Sequence, residues 1–200
     1  MMELASPTSC LVVALSERDA YTQAHCGRVE TLCLQLGQKC CLSERELDLL
    51  QIAAKLHDIG KIGIPDSILL KPERLSAAEM TIMKTHAELG QNICNKIFHE
   101  EAESIGVIVL HHHEAFDGSG YPHGLAGDNI PICSRIISIV DCYDAMLTTR
   151  PYHSSRSHEE VMIMMRSECG RKTDPLLFGY FEKIITDYRT NLASDNGAHR

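Results

Sequence analysis

The chain has no surplus of positive charge. With 19 Lys and Arg against 27 Asp and Glu, its formal charge is −8, so it offers no basic face to a phosphate backbone and binding of a nucleic acid polymer is not expected. A small anionic substrate is still compatible, provided metal ions or a few local cations make the pocket positive. Long apolar runs are missing too. The longest near the start is Cys10 to Leu15, far too short to span a bilayer, and no basic segment precedes it as a secretory signal requires. No membrane insertion and a cytoplasmic location are the expectation. Nine cysteines are present but no CxxC pair, and the number is odd, so a disulfide framework is not indicated. They read as reduced thiols acting as small hydrophobes. Sustained alternation of apolar and polar residues, internal repeats, low-complexity tracts and an interdomain linker are likewise absent. What is left is 200 residues, 44% of them hydrophobic, enough for one compact domain with a real core.

Helical signals fill that domain. Capping boxes occur at Ser43 with Glu46, Ser76 with Glu79 and Ser157 with Glu160, each ahead of an apolar-periodic run. Asp174-Pro175 adds an N-cap with proline at the first helical position, followed by the stripe Leu177, Phe181, Ile184, Tyr188. Ile105, Val109 and His112 share one helical face, as do Ile136, Val140, Tyr143 and Leu147. The fold class is all-α, a compact multi-helix bundle. Between Glu114 and Pro131 four glycines and two prolines break the periodicity and mark a long ordered loop. Residues 1–15 read as a short lead-in, 16–190 as the domain and 191–200 as a tail.

Polar residues sit where such a bundle does not need them. There are eleven histidines in 200 residues, and His25, His57, His86, His112 and His113 fall in or at the end of apolar helical stretches. His57-Asp58 ends the helix that starts after Ser43. Adjacent helical residues point about 100° apart, so the pair suits one metal, or the carboxylate reaches a second ion beside it. Asp141 lies inside the run IISIVDCYDAM and is expected to be buried, where a carboxylate must be paired or bound to a cation. A metal cluster satisfies all seven side chains together.

These residues lie in a series of motifs: RDAYTQAHCGRV, HDIGKIGIPDSILLKP, MKTHAELG, HHHEAFDGSGYPHGLAGDNIPICSRI and IVDCYDAMLTTRPY. In content and order the series resembles the HD-GYP domains, a branch of the HD phosphohydrolase superfamily, from about Ser16 to near Asp187. The resemblance implies hydrolysis of cyclic di-GMP to linear pGpG, and further to GMP, at a cluster of divalent metals, commonly iron or manganese. It assigns His25, His57, Asp58 and Asp141 to one ion and Asp58, His86, His112 and His113 to its neighbour, with Asp58 bridging and a bridging hydroxide as the attacking group. It places Lys61 beside the scissile phosphate and Arg150 on a substrate phosphate, and gives Gly120, Tyr121 and Pro122 a part in shaping the pocket and in contacting diguanylate cyclase domains. His111 falls outside the ligand set, as a neighbour of the ligands or a solvent-facing residue, and Glu114 is expected to orient a ligating imidazole.

Three positions depart from the family pattern. Tyr21 stands four residues before His25, where some relatives place a glutamate that helps hold a third metal, so two ions are expected. His153 replaces a frequent basic residue after RPY, and Phe116 replaces a common tryptophan. Two other readings stay open: a catalytically weak module that binds nucleotide or a cyclase partner, and a phosphodiesterase for another cyclic dinucleotide such as cyclic GMP-AMP. A homodimer is also open, since amphipathic helix faces pack equally well against a second copy.

Overall fold

The structure, a computed structural model, describes residues 7–18, 22–97, 100–148 and 156–197. The helices are α1 (Pro7–Ser16), α2 (Thr22–Lys39), α3 (Glu44–Leu56), α4 (Asp66–Leu69), α5 (Ala77–Lys84), α6 (His86–Ile97), α7 (Ala102–Leu110), α8 (Ile132–Leu147), α9 (His158–Glu168) and α10 (Pro175–Gly197). Single tight helical turns lie at Ile59–Gly63 and Gly127–Asn129. Among the described residues there is no strand, only two isolated bridges, so the all-α expectation holds.

Local chemistry sets the helix starts. All three capping boxes form: the serine oxygen accepts the N–H three residues on, and that residue's carboxylate accepts the serine N–H at 2.8 Å. Asp174 Oδ1 takes the N–H groups of Leu176 and Leu177 at the start of α10. Each cap satisfies donors that the first helical turn leaves without partners.

Helix α2 packs on α3 and α8, α3 on α7, and α6 on α7 and the Ile59–Gly63 turn. The core between them is built from Val29, Cys33 and Leu36 of α2, Leu50 and Ala53 of α3, Val109 of α7, and Ile136 and Val140 of α8, with Phe181 of α10 closing one side. The nine cysteines are free thiols, and Cys33 and Cys94 are among the fully buried residues, as expected of small hydrophobes. The ends are more structured than their sequence pattern suggests. Helix α1 lies within the expected lead-in, packs on α2, α3 and the Ile59–Gly63 turn, and puts Leu15 in the core; α10 continues past 190 to Gly197.

Two close approaches position the site. At Gly60 a Cβ would collide with the His86 carbonyl and the Gly90 N–H, so only glycine lets the turn after α3 lie flat on α6. At Gly120 it would strike the backbone of Glu114 and Ala115, which lets the Gly-Tyr-Pro loop fold back on the segment after α7. The Arg18 guanidinium donates to the carbonyls of Ile62 and Ile64 and pairs with Asp66, pinning the far end of the same turn.

Candidate metal centre and substrate cavity

The seven side chains expected to gather do so. His25 comes from α2, His57 and Asp58 from the end of α3, His86 from the start of α6, His112 and His113 from just past α7, and Asp141 from the middle of α8. Two sets of candidate ligand atoms, His25/His57/Asp58 and His86/His112/His113, each lie within 4.8 Å of one another. Asp58 stands between them. Its Oδ2 is 3.5 Å from His57 Nε2 and its Oδ1 is 3.6 Å from His86 Nε2, so each oxygen faces a different set. Asp141 Oδ1 lies 3.1 Å from His25 Nε2 and 3.8 Å from His57 Nε2. Asp141 was expected to be buried; its side chain is 17% exposed, because the residue faces an open cavity instead of the core.

The imidazoles are oriented by the backbone. His57 Nδ1 bonds the Ala54 carbonyl at 2.8 Å, His86 Nδ1 that of Met83 at 2.8 Å, and His112 Nδ1 that of Val109 at 2.5 Å. Only a protonated Nδ1 can donate to a carbonyl, so in each neutral ring Nε2 carries a lone pair and points inward. The consequence is electrostatic. His86 Nε2 and His112 Nε2 lie 3.4 Å apart with lone pair toward lone pair, and His57 Nε2 is buried with no hydrogen-bond partner. Such an arrangement calls for a cation, and the donor set of imidazole nitrogens and carboxylate oxygens suits a divalent transition metal.

Protonation states agree with that. Burial lowers the pKa of His86 and His112, and pushes His113 down to about 3, so all three are neutral at pH 7 and ready to ligate. Burial works against ionised Asp58, but the positive charge of the Lys61 ammonium beside it outweighs this and holds the carboxyl well below the usual range. His25 is the exception. Burial lowers its pKa, yet the carboxylates of Asp141 and Asp144 overcome this and raise it to about 9.

Asp144 is a residue that the sequence reading passed over. Its Oδ2 lies 2.7 Å from His25 Nδ1, while Arg28 grips the carboxylate through Nε at 2.7 Å and Nη2 at 2.9 Å. It does for His25 what backbone carbonyls do for His57, His86 and His112. The available signal was its place one helical turn after Asp141, on the same face of α8.

Glu114 differs from expectation. Its carboxylate accepts the N–H of His123 at 2.8 Å and of Leu125 at 3.1 Å, so it braces the Gly-Tyr-Pro loop and leaves the ligating rings to other partners. The reason is the sharp return of the chain after Gly120, which brings loop N–H groups over a buried carboxylate. His111 is buried beside it, 3.4 Å from Glu114 Oε1.

A cavity of 560 Å³ opens over the cluster, a size usual for small-molecule sites. Asp58, Lys61, His86, His113 and Asp141 line it beside the cluster, Lys71, Glu73 and Arg74 add two cations and one acid, and Leu69, Leu75, Met80 and Met83 give an apolar wall. Lys61 Nζ lies 2.6 Å from Asp58 Oδ2, beside the cluster. Of Gly120, Tyr121 and Pro122, Tyr121 is the one that lines the cavity; its ring stacks on His113 at 4.9 Å, and Lys84 Nζ lies over the ring, 4.9 Å from its centroid. Arg150, His153 and Tyr21 lie outside the described residues. No helix among the described residues is long and apolar enough to cross a membrane.

Comparison with known proteins agrees with this geometry. A family profile described as HD domain matches residues 4–177. The chain is 38% identical over 167 residues to the cyclic di-GMP phosphodiesterase response regulator RpfG of Xanthomonas campestris, covering 84% of this chain and 44% of that protein. It is 40% identical over 179 residues to the 3'3'-cGAMP-specific phosphodiesterase 2 of Vibrio cholerae, covering 88% of this chain and 34% of that protein. The chain thus spans less than half the length of these two relatives. Among solved structures, an HDG"Y"P protein from Bdellovibrio bacteriovorus superimposes with a TM-score of 0.64 at 22% identity, over 81% of this chain and 51% of that one. With the profile matched along most of its length and the His-Asp cluster assembled in the matching fold, the chain belongs to the HD domain family and carries the HD-GYP motif set.

Proposed function

We propose that the chain is a metal-dependent phosphodiesterase that hydrolyses cyclic di-GMP to linear pGpG and onward to GMP. One observation carries this reading: inward-facing Nε2 lone pairs grouped on both sides of Asp58, in a cavity that Lys61, Lys71 and Arg74 also line. Two divalent ions fit, one held by His25, His57, Asp58 and Asp141 and the other by Asp58, His86, His112 and His113. The mixture of imidazole and carboxylate favours iron or manganese. When bound, such ions supply Lewis-acid stabilisation of phosphoryl charge and a more acidic attacking water.

The chain's own residues do the rest. Lys61, held against the cluster by Asp58, donates to the scissile phosphate or to the departing sugar oxygen as negative charge grows there. Lys71 and Arg74 draw in a dianionic substrate, although Glu79 already binds Lys71 at 2.8 Å and leaves Arg74 the larger share. The Tyr121 ring and the apolar wall of Leu69, Leu75, Met80 and Met83 offer surface to a purine and thin the water around the phosphate. Arg150 supplies a phosphate-gripping guanidinium. The Gly120–Tyr121–Pro122 turn also serves as a contact for diguanylate cyclase domains.

The similarity to a cGAMP-specific enzyme favours cyclic GMP-AMP as the second substrate to try. The deciding experiment is hydrolysis of both dinucleotides by protein loaded anaerobically with iron or manganese, with metal counted on the same sample and Asp58→Ala as control. Turnover of cyclic di-GMP, lost in the control, is the expected result. Turnover of cyclic GMP-AMP alone would reassign the substrate, and full metal occupancy without hydrolysis of either would reduce the chain to a binding module.

A further inference from the structure

A second group of metal-ligating side chains lies on the other side of the His111-His112-His113 run. His111, at the C-cap of α7, Glu114 three residues on, and His123, just past the Gly-Tyr-Pro turn, bring one ligand atom each to within 4.8 Å of the others. His111 and Glu114 are buried, at 8% and 3% exposure, and His123 is exposed. The two imidazoles face each other with ring centroids 5.2 Å apart and planes tilted by 53°. His111 Nδ1 to Glu114 Oε1 is 3.4 Å. That is long for an N–H···O bond, whose usual length is about 2.9 Å. It matches the edge of a tetrahedron drawn around an ion with bonds of about 2.1 Å, which is about 3.4 Å.

We propose that His111, Glu114 and His123 form a further metal site, separate from the central cluster, that takes one zinc-class divalent ion and clamps the Gly-Tyr-Pro loop to the end of α7. Two imidazoles and one carboxylate are a borderline-soft, low-coordination set, which favours zinc over magnesium or calcium. The fourth position is left to water. Glu114 is suited to the role because it is already held in place: the N–H groups of His123 and Leu125 each take one of its oxygens, and the remaining lone pair of Oε1 lies toward His111 Nδ1, where the ion would sit between them. The exposed His123 provides the way in, since its side chain can swing onto an ion held by the two buried ligands. The same contacts give the clamp its mechanical sense. His123 follows Tyr121 by two residues, and Tyr121 stacks on His113 at the cavity, so an ion that fixes His123 also fixes one wall of the substrate cavity.

The test uses zinc alone. Wild-type chain and His123→Ala are dialysed against the same low concentration of zinc and the bound metal is counted, in the native background and again with Asp58→Ala. The expected result is one more zinc per chain with His123 than without it in both backgrounds, with His123→Asp, which keeps a ligand, close to the wild-type count. Equal counts for wild type and His123→Ala would overturn the site, and a difference that vanishes in the Asp58→Ala background would overturn its separateness. Zinc should also slow amide exchange at His123 and Leu125 in the wild type and not in His123→Ala; unchanged exchange in both would overturn the clamp.

Discussion

Asp144 is not among the residues lining the cavity over the cluster, yet its carboxylate sets which nitrogen of His25 faces the cluster. Replacing it tests whether that orientation matters. In Asp144→Asn an oxygen can still accept from His25 Nδ1 at the present 2.7 Å, but the negative charge that favours the ligating geometry is gone. In Asp144→Ala the acceptor is gone too. Loss of such an outer partner typically weakens metal affinity 10- to 100-fold, about 1.4 to 2.7 kcal/mol. We expect the alanine variant near the upper end and the asparagine variant near the lower. Folding should suffer less than a buried ion pair would suggest, because the Arg28 side chain is 45% exposed and can return to water, leaving a cost of about 1 kcal/mol. The assay is manganese affinity by competition with a chelator, with turnover measured at saturating metal. A second readout separates orientation from general damage: in the metal-free asparagine variant the His25 pKa should drop from its raised value of about 9, followed by NMR. If both variants bind manganese within twofold of wild type, His25 is held by its packing and the argument for Asp144 as a positioning residue fails.

Four further outcomes follow from the same geometry. Because His25 is protonated at neutral pH in the metal-free protein and must free Nε2 to ligate, metal loading at pH 7.5 should release about one proton or more per chain, read by calorimetry in buffers of different ionisation enthalpy; zero release would contradict the raised pKa. For the same reason the metal-free fold should be favoured fully below the unfolded histidine pKa of about 6.5 and lose that contribution as pH rises through about 9, seen as a falling melting temperature. Lys61→Met keeps the aliphatic stem and removes the ammonium beside Asp58, so kcat should fall about a hundredfold with KM little changed; a loss under threefold would place Lys61 outside the chemistry. Gly60→Ala puts a methyl group against the backbone of His86 and Gly90, where nothing flexible can yield, so denaturant unfolding should show a loss of about 3 kcal/mol, the top of the overpacking range.

The parts of this molecule that were legible in its sequence are those decided within a few residues. A serine followed three places later by glutamate reads as a helix start because the two bonds that make it one are local, and all three such starts stand where the sequence puts them. The seven cluster residues were legible for another reason: histidine and aspartate in apolar helical stretches conflict with burial, and only a shared partner resolves so many conflicts at once. The residues that were misread depend on chain returning from far away. Glu114 is adjacent to two ligands in sequence, which suggested that it serves them, but its oxygens are taken by N–H groups nine and eleven residues downstream because Gly120 lets the loop fold back. Asp144 could not be told from any other polar residue on α8 until α2 brought His25 and Arg28 against it, 119 and 116 residues away in sequence. The orienting carbonyls of Ala54, Met83 and Val109 were invisible for a third reason, since every residue has a carbonyl and side-chain identity says nothing about it. Each lies three residues before its histidine, at the end of α3, α5 or α7, where the helix leaves carbonyls without partners. Placing a histidine just past a helix end therefore fixes its tautomer with no dedicated second residue, and His25, which sits inside α2, is the ring that needs a carboxylate for the purpose.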